Sequence, residues 1–310
     1  MLRVAPPAPG IYRGVPFADY TSWDAASNSI LGKLARSAAH ARAALDGLDV
    51  DTEGKRLGRP IHTAVFEPDQ LETRYVVAPN CQQKTEKGAD CKNAGLWVDD
   101  QRGWVCGVHG KNRDDHRVPT TAEVISGDDL AICRGIKASV GRSTAASPIL
   151  AAPAEFELSL VWVDPETGVT CKGRLDAHNA AYAGGTIADG KSTEDASPIA
   201  MERTIYNFGY YRQAAMYLGG ASVLDLPAKH FAFIAFEKKP PYCTAVYRIL
   251  DELVRKGTEE VRALLELYAH CRASDSWPGY PDQVTDIGVP AWAHSRIADR
   301  IHDVSQRSAA

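Results

Sequence analysis

The stretch EFELSLVWVDPETGVTCKGRLDAHNAAYAGGTIADGK, residues 155–191, decides the fold. Apolar side chains at the even positions 156–162 alternate with Glu157 and Ser159, and this period of two predicts a β-strand. The turn sequence DPETG separates that strand from a second one, TCKGRLDAH, so the two should form a hairpin. A glycine-rich turn then leads into a third strand, GGTIADGKS.

The flanking sequence predicts helices on both sides of these strands, with further strands in LETRYVVAP and HFAFIAFE. Helices are expected in the segments ILGKLARSAAHARAAL, RLGRPIHTAVFEP up to Pro68, TAEVISGDDLAICRGIKASV, TIYNFGYYRQAAMYLGG and YCTAVYRILDELVRKGTEEVRALLELYAHCR. Gly257 is a potential break point in the last of them. Together these elements predict an α/β fold with a central mixed β-sheet flanked by helices.

Composition narrows the class of protein. The 310 residues allow two domains or one large α/β domain, and we expect a single domain over residues 1–310. No apolar run approaches the roughly 20 residues that cross a bilayer, so no membrane contact is expected. The balance of 35 basic and 39 acidic residues excludes a uniformly basic coat protein for nucleic acid, but it allows a local basic groove.

The acidic and basic residues of the second and third strands suggest chemistry. Asp189 and Lys191 lie two residues apart in a strand and should share a face, and Asp176 lies on the neighbouring strand. Two carboxylates brought together repel each other, and a divalent cation such as Mg²⁺ or Mn²⁺ relieves the repulsion. Lys191 would then stand beside a phosphate or a metal-activated water. The alternative is that these are ordinary charges on a surface strand.

Three further side chains are candidates for the same site. Gln213 and Tyr217 are four residues apart on a predicted helix and share a face, where the amide and hydroxyl could bind a phosphate or orient the lysine. His62, on the earlier helix, could donate an imidazole nitrogen to the metal. The alternatives are a core aromatic at Tyr217 and a structural histidine at His62.

In chain order these motifs resemble the PD-(D/E)XK nucleases, within them the RecB-type branch, and most closely the phage-encoded exonuclease VIII type. The motifs are Gly58-Arg-Pro-Ile-His62, Glu157, Asp176, Asp189-Gly190-Lys191 and Gln213-Ala-Ala-Met-Tyr217. The segments GIYRGVPFADYTSWDAASNSILGKLARSAAHARA, HTAVFEPDQLETRYVV, SLVWVDPETGVTCKGRLDAH, KKPPY and PAWA also resemble that family. The likeness covers about residues 15–305, apart from a cysteine-rich insertion. An apolar residue is commoner in the family at the position of Gly190.

The resemblance implies a restriction-endonuclease-like core and a role for each matched residue. It implies that Asp176, Asp189 and His62 bind the catalytic metal and that Lys191 is the catalytic lysine. Gln213 and Tyr217 would complete the catalytic site. Glu157 aligns with an acidic position before the hairpin and is a further candidate ligand.

The activity that the resemblance implies is hydrolysis of DNA by a Mg²⁺-dependent exonuclease. The family acts 5′→3′ on linear duplex ends in phage-type homologous recombination, supplies single strands to an annealing protein, and forms rings of identical subunits. An endonuclease or single-strand nuclease of the same fold is an alternative. A DNA-binding module without catalysis is a further one.

Basic residues near the motifs are candidates for phosphate contacts. Lys172 and Arg174 alternate with Asp176 and should share its face, while Arg203 and Arg212 flank the helix of Gln213. Most exposed basic side chains are simply solvated, which is the alternative for each of them.

The cysteine-rich insertion spans residues 80–112 and is polar and rich in glycine. The spacing Cys81-x9-Cys91-x14-Cys106-x2-His109 offers three sulfurs and one imidazole, which suits tetrahedral zinc. With every position taken by protein, such a zinc would be structural. Unrelated free thiols are the alternative. Seven cysteines without a signal peptide indicate reduced thiols, so a cytoplasmic location is expected.

Overall fold

The computed structural model describes residues 3–48, 53–91, 93, 95, 97–99, 101–110 and 122–308. Within it the chain divides into two units, Met1–Pro278 and Gly279–Ala310. The second unit contains one helix, Ala291–Ser308, which we label α11. In the described residues, no helix is long and apolar enough to cross a membrane.

A six-stranded mixed sheet forms the centre of the first unit. Its strands, numbered along the chain, are β1 (Gly10–Tyr12), β6 (Glu155–Val163), β7 (Thr170–Asn179), β8 (Thr186–Thr193), β9 (His230–Glu237) and β10 (Thr244–Arg248), in this spatial order. Neighbours are antiparallel except β8 and β9, which run parallel. The predicted hairpin is β6–β7, and its DPETG turn is closed by Asp164, whose carboxylate accepts hydrogen bonds from the Thr167 backbone and hydroxyl.

Helices cover both faces of the sheet. They are α1 (Phe17–Ser22), α2 (Asn28–Arg36), α3 (Ala38–Leu45), α4 (Glu53–Phe66), α5 (Leu71–Arg74), α6 (Gly127–Arg142), α7 (Ser147–Leu150), α8 (Pro198–Asn207), α9 (Tyr210–Val223) and α10 (Asp251–Ser274). Four short strands lie outside the main sheet: β2 (Tyr75–Ala78), β3 (Trp97–Asp99), β4 (Gly103–Val105) and β5 (Glu123–Ser126). Of these, β2 pairs with β5 and β3 with β4.

Two apolar cores result from the alternation of side chains along the strands. On one face, Leu158, Phe231 and Phe233 pack against α2, α3, α9 and α10. On the other face, Ile234 and Phe236 pack against α4, α6 and α7. Burial of apolar surface on both faces explains why β9 is apolar from Phe231 to Phe236. This three-layer arrangement confirms the predicted α/β fold with a central mixed sheet.

The structure corrects several predicted elements. The first predicted helix is two helices, because Ser37 is extended and its hydroxyl caps α3. Residues 123–126 are a strand before α6, and 244–248 pair with β9 at the sheet edge, where a helix was expected. The predicted break at Gly257 is wrong. A side chain at Gly257 would lie 2.5 Å from the Tyr211 carbonyl, so glycine lets α10 pass close to α9.

Candidate active site

The candidate site lies where β7 and β8 separate. Their ladder consists of three pairs and ends at Ala177 opposite Ala188. One residue beyond that end, the Asp176 carboxylate accepts a 2.8 Å hydrogen bond from the Gly190 backbone N–H. The side chain therefore takes the place of a strand partner, and the opening in the sheet positions Asp176 next to the Asp189-Gly190-Lys191 motif.

A closed set of contacts joins Asp189, Lys191 and Gln213. Gln213 Nε2, from α9, donates to Asp189 Oδ1 at 2.5 Å, and Lys191 Nζ donates to Gln213 Oε1 at 3.0 Å. Lys191 Nζ also forms an ion pair with Asp189 Oδ2 at 2.6 Å. The amide thus holds the carboxylate and the ammonium in one arrangement.

A second group of side chains surrounds His62 on α4. Its Nε2 is 3.0 Å from Asp176 Oδ2 and its Nδ1 is 3.3 Å from Glu157 Oε1. Glu157 has a left-handed backbone, with φ of +56°, and Arg174 Nε donates to its Oε2. This conformation interrupts the alternation of β6, so that Phe156 packs on the core of α4 and Leu158 on the opposite one.

The charged side chains of these two groups shift one another's pKa values. Burial lowers the pKa of His62, but the carboxylates of Asp176 and Glu157 outweigh it and raise the pKa to about 9. Burial raises the pKa of Asp176, but His62, Lys191 and the Gly190 N–H hold it below its usual value. Burial, followed by the charge of Asp176, raises the pKa of Asp189 to about 6. The pKa of Lys191 is raised because Asp189 outweighs burial.

Several features of this charged cluster (His62, Glu157, Asp176, Asp189, Lys191 and Gln213) fit a divalent cation. Ligand atoms of His62, Glu157 and Asp176 all lie within 4.8 Å of one another. Glu157 Oε1 and Asp189 Oδ2 are buried, and each faces one basic group, His62 Nδ1 at 3.3 Å and Lys191 Nζ at 2.6 Å. Buried carboxylate oxygens grouped in this way are suitable ligands for a hard cation.

Glycines let the core approach the cluster closely. A side chain at Gly190 would lie 2.6 Å from the Phe66 ring, so glycine lets this ring approach the strand. The ring of Tyr217 lies over Gly173, about 3.1 Å from where a Cβ would stand. Tyr217 is buried, and its pKa is raised well above the usual value by burial. These contacts seat α4 and α9 against the strands that carry the acids.

The four predicted phosphate-binding residues have different environments. Lys172 is 3% exposed, and its ammonium donates to the backbone carbonyls of Tyr20, Thr21 and Trp23. Arg174 is committed to Glu157 and to the Val15 carbonyl, and Arg212 is buried against Glu260 at 2.7 Å. This geometry is inconsistent with phosphate contacts by these three. Arg203, on α8, is exposed to solvent.

The contact of Tyr210 with Lys191 and that of Arg174 with Glu157 were not predicted from the sequence. The Tyr210 ring centroid is 4.2 Å from Lys191 Nζ, a cation–π contact at the start of α9. Its position three residues before Gln213, hence on the same helix face, was the available signal. The pairing of Arg174 with Glu157 had no local signal, because it depends on how β6 pairs with β7.

The insertion brings its four predicted ligands together. Cys81, Cys91, Cys106 and His109 place one ligand atom each within 4.8 Å of the others. Cys81 Sγ and Cys106 Sγ lie 3.3 and 3.4 Å from His109 Nδ1, and Cys91 Sγ lies 3.8 Å from Cys106 Sγ. Tetrahedral zinc with its usual bond lengths requires separations of about 3.6–3.8 Å. This Cys/His cluster could therefore bind zinc.

The chain is similar to known proteins in sequence and in structure. Residues 128–287, half of the chain, match the family described as "PDDEXK-like domain of unknown function (DUF3799)". No curated protein sequence matches the chain. A crystal structure from Eubacterium rectale, described as a "Putative exonuclease", superposes with a TM-score of 0.52 at 12% identity. That match covers 90% of this chain and 97% of the other.

The structure of the protein SSO0001 is similar over 45% of this chain and 58% of its own, with 16% identity and a TM-score of 0.27. The Eubacterium rectale structure shows that the fold is shared, and the family match confirms the PD-(D/E)XK superfamily. The chain belongs to the family of PDDEXK-like domains.

Proposed function

We propose that the protein is a Mg²⁺-dependent exodeoxyribonuclease that hydrolyses phosphodiester bonds at the ends of linear duplex DNA. The observation that carries this proposal is the set of contacts among Asp189, Lys191 and Gln213, beside Asp176 and His62. Clustered carboxylates next to a buried ammonium provide ligands for a hard cation, together with positive charge for the phosphate.

Four side chains would hold the catalytic metal: Asp176, Asp189, Glu157 and His62. The support is the low solvent exposure of the carboxylates and the proximity of the ligand atoms of His62, Glu157 and Asp176. When bound, Mg²⁺ or Mn²⁺ polarises the phosphate and lowers the pKa of a coordinated water. His62 must lose a proton to become a ligand, and its raised pKa makes metal binding release that proton.

The remaining side chains position the reacting groups or stabilise the charge that develops on the phosphate. Lys191 is protonated in this environment, so it can offset the negative charge that develops on the phosphate. Gln213 prevents the Asp189 carboxylate and the Lys191 ammonium from rotating away, because its amide binds both. Tyr217 packs α9 on β7 and thereby supports Gln213.

The finer parts of the proposal follow the family resemblance. They are 5′→3′ polarity, a role in phage-type recombination, a single-strand annealing protein as partner, and a ring of identical subunits. The Eubacterium rectale protein with the same fold carries a description that supports an exonuclease rather than an endonuclease.

In the Cys/His cluster we propose structural Zn²⁺. Three sulfurs and one imidazole nitrogen complete a tetrahedron, so no position is left for substrate. The three cysteines are buried and form an apolar cluster of their own, which gives the insertion a small core around the metal.

The test compares wild type, Asp189→Ala and Lys191→Ala on linear duplex, covalently closed circular and single-stranded DNA. Wild type should degrade linear duplex DNA with Mg²⁺, and each variant should be slower by about 100-fold or more. Lys256→Ala, an exposed lysine paired with Glu259 on α10, is the control and should retain activity.

Each alternative corresponds to a different result. Cleavage of the circle indicates an endonuclease, and preference for single strands indicates a single-strand nuclease. DNA binding without turnover at millimolar Mg²⁺ indicates a binding module. Equal activity of wild type and both variants would contradict the proposed site.

A further inference from the structure

The end of α8 and the two residues that join it to α9 expose large aromatic side chains near the charged cluster. Tyr206 is 76% exposed and Phe208 is 66% exposed, two residues apart in the chain. Both lie within a few residues of Tyr210, which contacts Lys191. Exposed aromatic groups that adjoin a functional site indicate a surface that is covered when a ligand binds.

Phe208 and Tyr210 form a stack that leads from solvent to Lys191. Their ring centroids are 5.7 Å apart and the ring planes differ by 23°. The Tyr210 ring in turn lies 4.2 Å from Lys191 Nζ and 5.3 Å from the Phe233 ring. The exposed ring is therefore two contacts away from the proposed catalytic ammonium.

The backbone holds this stack in place. The Phe208 N–H donates the last helical hydrogen bond of α8, to the Thr204 carbonyl. Gly209 follows with a left-handed backbone, φ of +64°, and a side chain there would lie 2.6 Å from the Arg212 guanidinium. Arg212 is itself fixed by Glu260. The outward position of Phe208 is thus part of the folded structure.

Nucleobases are the ligands that suit an exposed, near-parallel aromatic stack, because every base offers a flat face. Inside a duplex both faces of a base are covered by its neighbours. An open face exists only at a duplex end or in a single strand. Arg203 lies one turn before Tyr206 on α8 and is exposed, so it can attract the phosphates of the same strand.

We propose that the Phe208–Tyr210 stack binds the open face of a terminal or unpaired nucleobase next to the phosphate to be cut. This inference rests on the proposed nuclease function and deepens it. The protein would then recognise a strand end, or an unpaired base, by the flat open face of the nucleobase.

The test combines variants with abasic substrates. Single abasic sites are placed at successive positions from each end of a blunt duplex and of a single-stranded oligonucleotide. Phe208→Ala removes the stack and Phe208→Trp should restore it. Ile199→Ala is the matched control, because Ile199 is also exposed on α8, at 65%, but outside the stack.

We expect one abasic position to change KM more than the others. Removal of its base should raise the KM of wild type and Phe208→Trp about 5- to 150-fold, the range expected for one stacked base, and should leave Phe208→Ala unchanged. Phe208→Ala should show the same loss on intact substrates, while Ile199→Ala should resemble wild type. The duplex and single-strand series show which source supplies the base.

Two results have distinct meanings. If wild type cuts DNA and abasic sites affect wild type and Phe208→Ala equally, the stacking proposal is wrong and the nuclease proposal stands. If wild type cuts no substrate, the nuclease proposal is wrong. The same series is then measured as equilibrium binding, where the absence of any difference between wild type and Phe208→Ala contradicts stacking.

Discussion

The Cys/His cluster of the insertion and the charged cluster of the sheet are both groups of potential metal ligands, yet they are built differently. The four members of the first come from 29 consecutive residues, 81–109. Members of the second come from α4, β6, β7, β8 and α9, so residues far apart in the chain must meet. The first presents soft sulfur, whereas the second presents carboxylates and an ammonium.

This difference is the one expected between a structural metal site and a catalytic one. The Cys/His cluster is locally complete, because four ligands satisfy tetrahedral zinc. The charged cluster holds largely buried carboxyl groups close together, and their pKa values diverge. Such an arrangement is costly to fold, and the two apolar cores on either side of the sheet support it.

The largest expected effect comes from a substitution that disrupts only the Cys/His cluster. Four ligands share the roughly 10–16 kcal/mol of binding free energy of structural zinc, so Cys91→Ser should lower zinc affinity about 100- to 1,000-fold. The sheet should stay folded, because no residue of its two cores changes. Competition for zinc with a chelator and the unfolding midpoint check this. Cys243→Ser, an exposed cysteine outside the cluster, should bind zinc normally. Equal zinc affinity of both variants would contradict the assignment.

The second prediction concerns pH and the charged cluster. The pKa of His62 rises from 6.5 in the unfolded chain to about 9 in the fold, so His62 stabilises the metal-free protein fully below pH 6.5. This contribution is lost as pH rises through 9. The difference in unfolding free energy between wild type and His62→Gln should thus fall from at most about 3 kcal/mol at pH 6 to near zero at pH 10. Denaturant titrations measure this difference. A difference that does not depend on pH would contradict the contacts of His62 with Asp176 and Glu157.

The third prediction concerns the support of Asp189 and Lys191. Gln213→Ala removes the amide that binds both, and loss of such a supporting contact typically costs about 10- to 100-fold in metal affinity or activity. Isothermal titration with Mn²⁺ and the rate of DNA hydrolysis check it. Gln70→Ala, an exposed glutamine, should change neither. Unchanged affinity and rate in Gln213→Ala would mean that the contact does not support the site.

The smallest expected effect is on stability, and it differs between a glycine of the sheet and a glycine of the insertion. Gly190→Ala places a methyl group 2.6 Å from the Phe66 ring and should destabilise the fold by about 1–2 kcal/mol. A second change, Phe66→Leu, should return part of that loss. In the insertion, a side chain at Gly107 would lie at an ordinary 3.5 Å from Trp97, so Gly107→Ala should have little effect. Equal unfolding midpoints for both alanine variants would contradict the close packing at Gly190.

Much of this fold could be predicted from local patterns. The period of two along residues 155–163 identified β6, and the turn after it identified the hairpin. The same rule placed Asp189 and Lys191 on one face, and both contact Gln213. The ligand spacing of the insertion was equally informative, because its members are close in the chain.

The remaining features depend on contacts between distant residues. The left-handed backbone of Glu157 has no local signal, and it directs the carboxylate to His62. Lys172 and Arg174 have the alternation of exposed strand residues, but the N-terminal segment covers one and Glu157 binds the other. Residues 244–248 are a strand because they pair with β9, which a helical pattern in the sequence does not reveal.

If the opening between β7 and β8 binds a divalent ion, anomalous scattering from crystals soaked in Mn²⁺ will locate it there. We predict a peak within about 2.2 Å of carboxylate oxygens from both Asp176 and Asp189. Crystals of a protein that cleaves DNA in Mn²⁺, with no peak between these two side chains, would contradict it.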